Sequence, residues 1–255
     1  MLTWMPEALG EALAFDGLVW LIVAVFAAGL VRGFSGFGSA LIFVPVASKF
    51  MEPVWALICL TVMDIFGPIP LLRKAWNAGE PRDIARLGIA TLLTLPLGLA
   101  LLFAVPAEVF RYAVSTLAIA VPLLLITGFR YRGALTPKVM YGAGVASGVT
   151  GGAVGLPGPP VILLYAASTK PASIMRANTL VFLFAFDFML LGWIALQGYL
   201  AAVPVWLGLI FIMPAMLGNM AGGALFDPAR EKMYRYVAYL VVFSAAISSL
   251  PIWEG

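Results

Sequence analysis

Two glycine-rich stretches hold the residues of this chain best suited to binding chemistry. Gly33-Phe-Ser-Gly-Phe-Gly38, preceded by Arg32 and followed by Ser39, interrupts one apolar run; Gly148-Val-Thr-Gly-Gly152, followed by Gly155-Leu-Pro-Gly-Pro-Pro160, interrupts another. Where a helix is broken, its first amide N–H groups lack intrahelical partners and its dipole adds positive potential, so a break favours an anion. Glycine also lets a solute approach the backbone. The expected donors are the amides around Gly33, Gly36 and Gly38 with the Ser35 and Ser39 hydroxyls, and those around Gly148, Gly151, Gly152 and Gly155 with Thr150 and Ser147. Arg32 can supply a fixed charge. The competing reading is that such glycines only let helices pack closely. Two matching clusters shift the balance towards a site.

The remaining polar residues in apolar surroundings are Asp64, Asp187, Asn178 and Gln197. Charged groups at membrane depth are costly and face a cavity or a partner. Asp64 and Asp187 suit two roles equally: binding a coupling proton or cation, or forming a structural ion pair with Arg32, Arg176 or Arg73. Asn178, at the start of a span after Lys170-Pro171, suits a polar contact to a cavity, and Arg176 a membrane-interface anchor. With no histidine and one cysteine, Cys59, histidine proton relays, histidine metal sites and intrachain disulfides are excluded. No phosphate-binding loop is present, so no cofactor is expected, and energy must come from a gradient or a partner. A membrane enzyme would need a nucleophile, base or metal cluster that these residues do not supply.

The elements that position these groups follow from composition. The chain is 63% hydrophobic and 11% charged over 255 residues, whereas a soluble domain carries about 25% charged residues. The net charge of +3 is scattered between apolar runs, which argues against nucleic acid as a partner. The first fifteen residues carry Glu7 and Glu11 and no basic residue, unlike a secretory signal, so the first apolar segment is expected to be retained. Ordinary spans are expected at residues 54–72, 87–105, 111–128, 177–197, 204–225 and 236–253. Segments 17–48 and 139–168 are too long for one span and short for two, and are read as broken, re-entrant hairpins. With both termini outside, twelve of the fifteen basic residues fall in inner loops; Arg32, Lys49 and Arg111 are the exceptions.

The two broken segments also align. At an offset of 115, Gly33, Gly36, Leu41, Pro45 and Val46 fall on Gly148, Gly151, Leu156, Pro160 and Val161, and Ser35 falls on Thr150. Pro53 and Thr61 fall on Pro171 and Thr179 at 118, Asp64 on Asp187 at 123, and Gly98 and Arg111 on Gly222 and Arg235 at 124. The reading is an all-α polytopic membrane protein of two repeats, 1–128 and 129–255, forming one transmembrane domain. Each holds a broken hairpin and three spans, an odd number of crossings, so the second is inverted. In such architectures the binding site lies at midplane where discontinuous helices meet.

The segments GFSGFGSALIFVPVAS and GVTGGAVGLPGPPVILLY, each followed by a polar turn with Pro53 or Pro171 and a span bearing Thr61 or Thr179, resemble the sulfite exporter TauE/SafE family of membrane permeases. The resemblance covers nearly the whole chain. It implies two inverted halves, a central site, and transport of sulfite, thiosulfate, sulfonates or related small organic anions. Residue by residue it points to Gly33, Ser35, Gly36 and Gly38, then to Thr150, Gly151, Gly152, Gly155 and Pro160, and to Asn178 and Thr179. Where many members carry a Gly-Thr-Ser/Asn type sequence after the turn, this chain reads Arg176-Ala-Asn-Thr179. The expectation is a secondary permease for a small anion in a plasma membrane, the bacterial inner membrane. A passive facilitator for another small anion, such as a carboxylate, is the alternative; homodimerisation stays open.

Overall fold

The computed structural model describes residues 4–35, 38–67, 69–127, 135–165, 170–225 and 231–253. They form twelve α-helices and a closing 3-10 turn, with no strand among the described residues. In chain order the helices are α1 (Trp4–Leu13), α2 (Leu18–Ser35), α3 (Ser39–Ala47), α4 (Pro53–Phe66), α5 (Ile69–Ala78) and α6 (Pro81–Ala104), then α7 (Ala107–Ile126), α8 (Pro137–Val154), α9 (Gly158–Tyr165), α10 (Ala172–Leu196), α11 (Ala202–Leu225) and α12 (Glu231–Ser248). Four of them, α6, α7, α10 and α11, are long and apolar enough to cross a membrane. Their outward side chains, such as Leu93, Leu97 and Met213, are largely exposed, which lipid tolerates and water would not.

Several expectations change. Segment 54–72 is not one helix: α4 ends at Phe66 and α5 starts at Ile69. The sequence at this junction, Gly67-Pro68-Ile69-Pro70, explains this, because proline cannot donate to the preceding turn. The α4 helix and the apolar part of α12, Tyr236–Ser248, are shorter than a membrane-spanning helix. An unexpected helix, α1, precedes α2 at a bend of 78°. It packs on α11 and buries Ala8 and Ala12.

Both anomalous segments are broken, and the second break lies later than its glycines suggest. The first falls between α2 and α3; in the second, α8 runs through Gly148, Gly151 and Gly152 and ends at Val154. Within that helix Gly148 and Gly152 lie directly against α6. A Cβ on Gly148 would stand 2.7 Å from the Thr91 carbonyl oxygen, and one on Gly152 would stand 2.6 Å from the Leu95 carbonyl oxygen. The α2–α11 crossing is built the same way: a Cβ on Gly33 would meet the Asn219 carbonyl oxygen at 2.3 Å, and one on Gly222 the Leu30 carbonyl oxygen at 2.1 Å. Small residues let these backbones approach so closely.

The short helices after the breaks sit inside protein. At about 1.5 Å per residue, α3 with nine residues and α9 with eight cannot span a hydrocarbon core. The α3 helix is enclosed by α2, α4, α7 and α12, with Ile42, Phe43 and Val44 at the centre of the main core. Irregular backbone at membrane depth is tolerated where protein covers it.

Candidate functional site

Gly38 ends the first break with φ 103°, a left-handed conformation that favours glycine, and α3 begins at Ser39. Arg32, in the last turn of α2, points its guanidinium across the break. Its Nη1 donates to Asp64 Oδ1 on α4 at 2.6 Å and lies 3.4 Å from Ser39 Oγ. The Ser39 hydroxyl donates to Asp64 Oδ2 at 3.0 Å. Arg32, Ser39 and Asp64 therefore lock α2, α3 and α4 together at the break. The Arg32–Asp64 contact is one of the ion pairs expected for this acid.

The second break is closed differently. Gly155, at φ 71°, donates its N–H to the Gly151 carbonyl at 2.9 Å, a left-handed helix end. The Thr150 hydroxyl donates to the Ala146 carbonyl at 2.9 Å and to the Leu156 carbonyl at 2.8 Å. Thr150 thus satisfies the broken backbone from within. The α9 helix starts Gly158-Pro159-Pro160, and prolines in the first turn carry no N–H. This helix start has fewer free donors than a break of generic sequence.

Both breaks open on one small cavity of about 70 Å³. Gly38 and Ser39 come to it from the first break, Gly155 to Pro159 from the second, Thr61 and Asp64 from α4, Phe186 and Asp187 from α10, and Arg32 from α2. Sequences far apart in the chain, matched in the alignment of its halves, thus meet in one place. Asp187 is 9% exposed and has no hydrogen bond or ion pair among the described residues. Thr61 is fully buried, and its hydroxyl oxygen has no hydrogen-bond partner among the described residues.

The other expected site residues lie elsewhere. Gly33 and Gly152 sit in the helix crossings, and Gly151 faces the Phe186 ring, with its Cβ position 2.5 Å from ring carbons. Pro160 is in α9, one residue beyond the lining. Gly36 lies outside the described residues. Ser35 ends α2. Ser147 is fully buried, has no hydrogen-bond partner among the described residues and lies away from the cavity. Asn178 is fully buried at a joint between helices: it accepts the Glu80 N–H at 2.7 Å and donates to the Tyr165 hydroxyl at 2.9 Å. Thr179 follows it, outside the lining. Beside this joint Lys170 Nζ donates to Glu80 and, at 2.5 Å, to Asp83 Oδ2, which also receives Arg86 through its other oxygen. Burial pulls the Lys170 ammonium down, but the hydrogen bonds and charges of Asp83 and Glu80 outweigh it and hold its pKa above the ordinary value.

Sequence reasoning did not single out Thr61, Leu183, Phe186 or Pro157 as site residues. A signal existed for Thr61, three residues before Asp64 and so on the same helical face, and for Leu183, one turn before Asp187. Pro157 lies within the Gly155 to Pro160 stretch already singled out, whereas no comparable signal marks Phe186.

The match to the family model for the sulfite exporter TauE/SafE extends over residues 21–249, from α2 to the end of α12. The chain belongs to the sulfite exporter TauE/SafE family. It is a multi-pass membrane transporter of sulfite-type anions and not an enzyme. No curated protein and no solved structure matches it. For this TauE/SafE protein, the cavity between the two breaks is the candidate place for the anion.

Proposed function

We propose that this protein is a secondary transporter whose substrate is sulfite or a related sulfonate anion, bound near the membrane midplane between the two helix breaks. The observation that carries this reading is the shared cavity, with Arg32 at its wall. Arg32 also has guanidinium N–H groups beyond the one that reaches Asp64, and these suit the oxygens of a tetrahedral or pyramidal sulfur anion.

The halves 1–128 and 129–255 act in this reading as inverted repeats that rock about the cavity. Support comes from an exchange of partners: α2 lies along α11, and α8 lies along α6, so each broken helix rests on a long helix of the other half. The glycines of these crossings are partners in the repeat, Gly33 with Gly148 and Gly98 with Gly222. The bias of basic residues supports placing both termini on the outer face of the plasma membrane.

The test is uptake into proteoliposomes of sulfite, thiosulfate, a small sulfonate and small carboxylates. Saturable movement of a sulfur anion, with exchange against the same anion inside, is the expected result. Movement of carboxylates alone would remove the sulfur assignment, and linear, non-exchanging flux would favour a passive facilitator.

A further inference from the structure

The repeat leaves one acid without its partners. At the offset of 115 that aligns the breaks, Arg32 falls on Ser147 and Ser39 on Val154, while Asp64 falls on Asp187 at 123. The first half therefore holds its acid with a guanidinium and a hydroxyl, and the second half keeps the acid and has neither. Asp187 is buried in the cavity wall with no hydrogen bond or ion pair among the described residues, and Thr61 lines the same cavity with an unpartnered hydroxyl.

Among the described residues, the charged groups that face Asp187 are Asp64 of α4 and Arg32 of α2, already committed to each other. The α9 helix brings none. The charged groups at the start of α6 nearest α10, Glu80, Asp83 and Arg86, are engaged with Lys170, Asn178 and one another. An ionised carboxylate so placed is uncompensated, and an anion entering the cavity would meet it as a like charge at low dielectric. A metal cation would need a shell of several oxygens. Beyond Asp187 and Thr61, the side-chain oxygens facing the cavity, those of Ser39 and Asp64, are already engaged with Arg32 and each other.

We propose that Asp187 binds the proton that is carried with the anion. On the loading side an Asp187 carboxylate oxygen takes a proton from water, which removes the repulsion and admits the anion beside Arg32. On the far side the anion leaves, water enters, and the proton returns to water. One proton accompanies one monovalent anion, so the step is electroneutral. This rests on the transporter reading above, and the test separates the two.

The probe is a small alkylsulfonate, which does not itself titrate near neutral pH, in proteoliposomes of the full chain. Counterflow exchange reads transport. The ratio of accumulation with and without a proton gradient reads coupling, and it does not depend on how much protein is folded. For one proton per anion the ratio approaches about tenfold for each pH unit. Asp187→Asn should bring it to one, and Asp187→Glu should keep it above one. A ratio in Asp187→Asn equal to wild type, or a sodium gradient replacing the proton gradient, would overturn the proposal while leaving the transporter reading intact. If no exchange is seen even in wild type, the substrate reading falls, and infrared spectroscopy decides the proton site alone. A protonated-carboxyl carbonyl band that disappears in Asp187→Asn upholds it, and its absence in wild type overturns it.

Discussion

Replacing Gly148 by alanine would put a methyl group 2.1 Å from Thr94 Oγ1 and 2.7 Å from the Thr91 carbonyl oxygen. The threonine side chain can turn away, but the carbonyl belongs to the α6 backbone. To bring 2.7 Å to the 3.0 Å that real Cβ atoms keep, α6 and α8 must part by 0.3 Å or more. That shift loosens the neighbouring approaches of Gly144 and Gly152 as well. Overpacking of this kind costs about 1–3 kcal/mol. Alanine also raises helix propensity by about 1 kcal/mol, which has to be separated from the packing term. Gly142, on the same helix with nothing within 4 Å of its Cβ position, provides the control. The expected difference between Gly148→Ala and Gly142→Ala is the packing cost alone, about 1–3 kcal/mol in favour of the latter. Unfolding midpoints of the purified protein in one detergent measure it. Equal stability of the two variants would refute the close crossing of α6 and α8.

Four further outcomes follow from the same geometry. Gly151→Ala meets the far edge of the Phe186 ring, which can turn towards the cavity, so the variant should fold normally while its KM for the transported anion rises several-fold. Thr150→Val leaves the Leu156 carbonyl without its hydroxyl donor at the break, and unfolding assays should show a loss of about 1–3 kcal/mol. Asn178→Leu removes the acceptor of the Glu80 N–H and the donor to Tyr165; a loss of about 1–3 kcal/mol is expected in the same assay, and unchanged stability would sink the joint described here. For Lys170 the folded pKa stands above the ordinary 10.5, so its stabilising contribution is complete below that pH and lost as pH rises through the folded value. Wild type should therefore lose stability above about pH 10.5 more steeply than Lys170→Met, as read from unfolding midpoints against pH.

Composition and apolar run length were enough to establish a multi-helix membrane protein, because a bilayer imposes a length and a polarity that show directly in local sequence. The breaks were legible for a similar reason: glycine and proline act on the backbone where they stand, as Gly38 and Gly155 do. Local patterns could not say which glycines bend the chain and which serve a neighbour. Gly148 and Gly152 look like a break in isolation, yet they lie within α8 and serve its close packing on α6. Nor could they assign partners to the acids. Asp64 and Asp187 occupy matching places in the alignment, yet one is paired with Arg32 and the other lies in the cavity wall with no partner among the described residues, because electrostatic partners are chosen across space by packing. Asn178 shows the same limit, since its partners, Glu80 and Tyr165, are brought to it by the junction of α6, α9 and α10. Sequence determined the membrane class, the helices and the two interruptions; tertiary structure decided which of their residues face the cavity, because that depends on the neighbours each helix meets.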